Sequence, residues 1–121
     1  MQKTFKDLNL ELAHIGINPG TDRSVDALCQ FFSMITGQSI RDNNSSFFVS
    51  NYIEVMKNPW KGTHGHIAFW TDDITAAVDL LSAQGCAVDM SSAQYYDDGA
   101  MRVVYLAEEY GGFAVHLMQR R

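Results

Sequence analysis

The four histidines in this chain fall on three strand-like segments, with their imidazoles opposite an apolar face in each. In 11–18 (ELAHIGIN), His14 alternates with Ala13, Ile15 and Ile17. In 63–70, His66 alternates with Ile67 and Phe69, and His64 shares its face. In 112–119, His116 alternates with Phe113, Val115 and Leu117. Glu54 stands in the same relation to Ile53 and Val55 in 52–57. Each of these segments offers one face to covering helices and one face with a group able to bind metal. Imidazole and carboxylate together suit borderline divalent ions such as Zn, Ni, Co, Mn or Fe. The expected ligands are His14, Glu54, His66 and His116, with one metal ion per site and Glu54 doubling as general base. Tyr52, Met56, Ala68, Trp70, Ala114 and Met118 share the ligand face and would line a mixed aromatic and apolar pocket. Arg102 and Tyr105, on the preceding strand, would meet a substrate carboxylate or phosphate, Arg102 bidentately.

Elements that could carry these residues follow from periodicity. After the first strand, Asn18-Pro19-Gly20 makes a turn, and Thr21 or Asp22 caps a helix over 23–36. Val25, Leu28, Cys29, Phe32 and Ile35 form its apolar stripe, and Gly37 ends it. Short strands are expected at 39–41, 46–50 and 52–57, with a turn at 42–44. A connector at 58–62 precedes a second unit: strand 63–70, a cap at Asp72-Asp73, a helix over 74–84 closed by Gly85, and strands at 86–89, 101–107 and 112–119. A polar loop reaches Gly99, and Trp60 and the Tyr95–Tyr96 pair lie in loops that close the mouth or pack at a dimer contact. The expected fold is α+β in a single domain, 1–121. Two βαβββ modules, about 10–57 and 63–119, form an open mixed β-barrel with helices outside.

Composition narrows the function classes. The 121 residues are 46% hydrophobic and 19% charged, with a net charge of −5, which excludes disorder and lacks the basic footprint of a nucleic-acid binder. No apolar run approaches the ~20 residues of a bilayer span, and no leader pattern opens the chain, so a cytoplasmic protein is expected. Cys29 and Cys86 have no metal or redox spacing and are expected as free thiols.

LAHIGIN at 12–18, NYIEVMK at 51–57, GTHGHIAFWTDD at 62–73 and EEYGGFAVHLMQ at 108–119 resemble the vicinal oxygen chelate superfamily. That group includes glyoxalase I, fosfomycin-resistance enzymes, extradiol dioxygenases and bleomycin-binding proteins. The resemblance implies a metal between paired modules, with His14, Glu54, His66 and His116 matching the first-, fourth-, fifth- and eighth-strand ligands. HIGIN, IEVMK, HGHIA and YGGFAVHL are most similar to the small domain attached to certain keto-hydroxyglutarate/keto-deoxyphosphogluconate aldolases. One departure matters: glyoxalase I ends its pattern with Glu where this chain has His116. Three neutral imidazoles and one carboxylate around a divalent ion would carry a local charge of +1 and leave room for two substrate oxygens. The resemblance therefore implies a metal-dependent lyase or isomerase acting on a small vicinal-oxygen metabolite of keto- or hydroxy-acid type. The alternatives are a non-catalytic binding or aldolase-regulating module, and an iron-dependent oxygenase. A homodimer is expected, with ligands from one chain or from two, and a sugar-acid aldolase as a further partner.

Overall fold

Burial decides where the predicted periods become elements. The computed structural model describes residues 3–121. A short 3-10 turn at Phe5–Leu8 precedes β1 (Glu11–Ile17), α1 (Val25–Thr36), β2 (Ile40–Asn43), β3 (Ser46–Val49) and β4 (Ile53–Met56). The order then repeats as β5 (Gly65–Thr71), α2 (Ile74–Ala83), β6 (Val88–Tyr95), β7 (Met101–Leu106) and β8 (Phe113–Gln119).

All eight strands join one mixed sheet, in the order β2-β3-β4-β1-β5-β8-β7-β6. The two repeats meet along the antiparallel β1–β5 pair, and each central strand has a parallel outer neighbour, β4 beside β1 and β8 beside β5. The end strands β2 and β6 do not pair, so the expected barrel stays open. Helix α1 packs on β2, β3 and β4, and α2 on β6, β7 and β8. Leu8, Ile74, Ala77, Val104 and Leu117 make the buried cluster under α2, and Thr71 Oγ1 ties the 3-10 turn to it by donating to Leu8 O at 3.0 Å. No helix among the described residues is long and apolar enough to cross a membrane.

Several boundaries differ from the sequence reading. The cap of α1 is Ser24, whose side chain accepts from Ala27 N, and not Thr21 or Asp22. Burial explains this, since Arg23 is exposed and the helix begins at Val25, the first residue with something to pack against. Ile35 is 59% exposed. At ~100° per residue it falls roughly 80° to one side of Val25, at the margin of the stripe. Strand β2 runs on to Asn43, moving the turn to Asn44-Ser45, where Asn44 takes φ +60°. Strand β6 extends through polar residues to Tyr95, so Tyr95 is not a loop residue. As an end strand paired irregularly with β7, β6 has little apolar alternation to display. Cys29 and Cys86 are free, as expected.

Candidate metal centre

Sheet register fixes which side chains are neighbours. Gly16 on β1 aligns with Glu54 on β4 and His66 on β5, and Phe48 on β3 and Ala114 on β8 extend that row. Two residues along β5, Ala68 aligns with His14 and with His116, which in turn aligns with Tyr105 on β7. A two-residue step returns to the same side of a sheet, so both rows occupy the face without helices. Small residues alternate with rings across these rows: Gly16 and Ala114 flank His66, and Ala68 separates His14 from His116. A Cβ added to Gly16 would occupy the space of the His66 imidazole. A bulge at Ala13, between the Leu12–Phe69 and His14–Ala68 pairs, sets the register of β1.

The four predicted ligands converge. Ring nitrogens of His14, His66 and His116 lie within 4.8 Å of one another. Glu54 Oε1 is 3.0 Å from His66 Nε2 and 3.3 Å from His14 Nε2. Its Oε2 accepts a 2.6 Å hydrogen bond from the buried Ser46 hydroxyl. Phe48 meets the His14 ring edge-on at 5.4 Å, and Tyr105 lies 4.7 Å from His116. Glu54, His66 and His116 are buried, and His14 is half-buried.

Burial and the neighbouring charged groups shift the titration of His14, Glu54 and His116. The His116 pKa is pushed down to about 3, first by burial and then by charge repulsion between its ring and those of His66 and His14. Burial likewise lowers His14, against a partial opposing pull from Glu54. At Glu54, burial pushes upward, but hydrogen bonds from His66 and Ser46 and the imidazole charges outweigh it, so its carboxyl titrates below the ordinary range. The buried Nδ1 atoms of His66 and His116 have no partner among the described residues. Three imidazoles and one carboxylate in a largely buried cluster fit a borderline divalent cation in donor chemistry.

A cavity of about 560 Å³ adjoins the cluster, with His14, Glu54, His66 and His116 in its wall and Trp60, Lys61 and Tyr105 beside them. The Asn18 amide holds the connector there: Nδ2 donates to Trp60 O at 3.0 Å and Gly62 O at 2.8 Å, and Oδ1 accepts from Trp60 N at 2.8 Å. Trp60 Nε1 donates to the Tyr105 hydroxyl at 3.3 Å, so Trp60 stands at the mouth. Burial raises the Tyr105 pKa, a shift that the Trp60 hydrogen bond opposes and the Glu54 charge reinforces.

Other predicted positions scatter. Tyr52 and Trp70 line a second cavity of about 690 Å³, which shares His14 with the first, and Met118 lines it with them. Met56 lies in the first cavity. Arg102 lines neither, because it precedes Val103 on β7 and so faces away; its Nη2 donates to Gln94 Oε1 at 2.6 Å. His64 is exposed and rests against Phe113 and Gly112, because Gly65 takes φ +141° and breaks the alternation that would align it with His66. Ser46, Phe48, Lys61 and Asn18 went unpredicted. Alternation within 46–50 places Ser46 and Phe48 on one face, which was the available signal.

Eight strands in this order, with one helix per repeat, match known structures. The fold is glyoxalase-like. A hypothetical protein, BH1468 from Bacillus halodurans C-125, is 17% identical with a TM-score of 0.62, over 93% of this chain and 96% of that one. Methylmalonyl-CoA epimerase from Mycobacterium tuberculosis is 13% identical with a TM-score of 0.58, over 99% and 93%. A Streptomyces coelicolor methylmalonyl-CoA epimerase variant in complex with 2-nitronate-propionyl-CoA is 18% identical with a TM-score of 0.55, over 90% and 93%. At these identities the likeness establishes the glyoxalase-like fold alone. No protein-family model and no curated protein matches the chain by sequence.

Proposed function

We propose that this chain is a metal-dependent enzyme of lyase or isomerase type, acting on a small keto- or hydroxy-acid metabolite with vicinal oxygens. One observation carries the reading: three imidazoles and the Glu54 carboxylate converge in the wall of a ligand-sized cavity. His14, Glu54, His66 and His116 would hold the ion. When bound, it would polarise substrate oxygens and stabilise developing negative charge. The chain's own groups supply the rest. Glu54 is ionised at neutral pH, and Oε1, the oxygen not held by Ser46, is the atom that takes up a proton from the substrate. Ser46 fixes the carboxylate plane meanwhile. Trp60 and Tyr105 limit water at the mouth. Lys61, whose Nζ lies 5.0 Å from the centre of the Tyr105 ring, places positive charge beside the cavity for a substrate carboxylate.

The test has two readouts. Purified protein supplemented with Zn, Ni, Co, Mn or Fe(II) should retain one ion per chain, and the His66→Ala, His116→Ala double variant should retain none. Equal metal content in the two would overturn the site. Keto acids, hydroxy acids and diketones are then incubated in D₂O and followed by NMR. Wash-in of deuterium beside a carbonyl, lost in Glu54→Gln, is the expected outcome. Thermal stabilisation by the same compounds without any exchange would show instead the non-catalytic binding module.

A further inference from the structure

The second cavity has a chemistry that the metal cluster does not share. Its volume, about 690 Å³, lies within the ~300–1,000 Å³ range of small-molecule sites. Phe48, Tyr52 and Trp70 line it, and Tyr52 and Trp70 remain 58% and 36% exposed, on the side of the sheet that carries no helix. Aromatic faces left uncovered beside a concave wall are surfaces on which a planar ring can stack.

The charges around this cavity do not cancel in the way their count suggests. Glu11 and Asp42 both line it. Glu11 Oε1, however, accepts from Arg120 at 3.1 Å, and Asp42 Oδ1 accepts from Lys57 at 2.8 Å. Neither Arg120 nor Lys57 lines the cavity, so both carboxylates are answered from outside. Arg41 differs. Its Nη2 donates to Ser50 O at 3.1 Å and to Asn51 Oδ1 at 3.5 Å, and no carboxylate pairs with it among the described residues. A guanidinium has five N–H donors in a planar fork that suits a carboxylate bidentately, and here most of that fork has no partner. Among the described residues Arg41 is thus a cation without a counter-ion, its guanidinium carbon 5.9 Å from the centre of the Phe48 ring in a cavity that Tyr52 and Trp70 also line.

We propose that this cavity is a second ligand site, taking a small aromatic carboxylate whose ring lies against Tyr52 and Trp70 and whose carboxylate is held by Arg41. The site uses none of the metal-cluster carboxylate chemistry and stands whether or not a metal binds next door. The chain has two tryptophans, so Trp60→Phe leaves Trp70 as the single indole reporter. Chelator-treated Trp60→Phe protein is titrated with benzoate, and with benzyl alcohol as the uncharged comparison, while Trp70 emission is recorded. Benzoate should give a saturable change, and benzyl alcohol should bind roughly tenfold more weakly or worse, as expected for a lost charged hydrogen bond. Arg41→Gln in the same background should weaken benzoate by a similar factor with its thermal midpoint unchanged. Absence of saturation into the millimolar range would overturn the proposal. So would equal responses to the two compounds, undiminished binding in Arg41→Gln, or a response that appears only after Zn²⁺ is added.

Discussion

Among the described residues the Glu54 carboxylate is the only acidic group in the cluster, and its two oxygens have different duties. Oε2 takes the Ser46 hydroxyl at 2.6 Å, while Oε1 faces His14 and His66. Hydrogen bonds to a buried charged group are worth ~1.5–3 kcal/mol each, enough to keep this carboxyl ionised against its burial. The histidines carry the sharper pH consequence. His116 has an ordinary value of 6.5 and is pushed down to about 3 in the fold, mainly by burial. Between those values the unfolded chain binds a proton that the folded chain refuses, so stability rises with pH across that window and is lost on acidification. His14 shifts in the same direction. Glu54, lowered from 4.5, adds its own loss only below that value, so the histidines act alone between 6.5 and 4.5. Metal-free protein is therefore expected to lose unfolding free energy as pH falls through that interval, with His116 contributing a slope approaching ~1.4 kcal/mol per pH unit. His116→Gln should flatten the profile, measured by denaturant unfolding at a series of pH values. At this scale the four clustered side chains, His14, Glu54, His66 and His116, stand out in the sequence because each interrupts an apolar alternation. Ser46 and Lys61 do not, because a serine at a strand start and a lysine in a connector look like ordinary surface residues until the register is known.

Register between elements is what turns four separated side chains into one cluster. Gly16 and Gly65 leave no room for a side chain between β1 and β5: a Cβ on Gly16 would enter the His66 ring, and one on Gly65 would collide with the Gly16 carbonyl. Gly16→Ala therefore forces either β1 or the His66 imidazole to move. Overpacking of this kind costs ~1–3 kcal/mol. Displacing a ligand ring should also weaken metal binding by ~10–100-fold, as loss of ligand-orienting contacts does elsewhere. Thermal unfolding and a competitive chelator titration measure the two effects, and a variant with wild-type metal affinity would show that His66 is not positioned by β1. Helix and central-strand periods were readable in the sequence because α1 and α2 each carry an apolar stripe and β1, β5 and β8 each an apolar alternation. Strand β6 was only half readable, because polar residues along an end strand give no signal of their own. The position of His64 was misread for a local reason: period-2 alternation presumes an extended backbone, and Gly65 at φ +141° supplies none.

The recurring order of expected elements pointed to two modules without sequence identity but could not show which strands of one lie against the other. The β1–β5 pairing answers this within a single chain: His14 and Glu54 from the first repeat meet His66 and His116 from the second. The same pairing made between two chains would build the same cluster from shared halves, and the two arrangements differ in one measurable respect. Chains carrying His14→Ala are unfolded together with chains carrying His66→Ala, refolded as a mixture and loaded with metal. If modules exchanged between chains, each mixed pair would regain one intact cluster, and since half of the pairs in an equal mixture are mixed, metal content would climb toward a quarter of an ion per chain. The single-chain cluster predicts no gain over the two variants refolded separately. The charge of the whole molecule gives this measurement its sensitivity. A chain of net charge −5 attracts divalent ions diffusely, but diffuse binding is screened within ~8–10 Å at physiological to moderate salt. Metal that survives a salt wash in wild-type protein, and is missing from both variants and from their mixture, is metal held by four side chains of one chain.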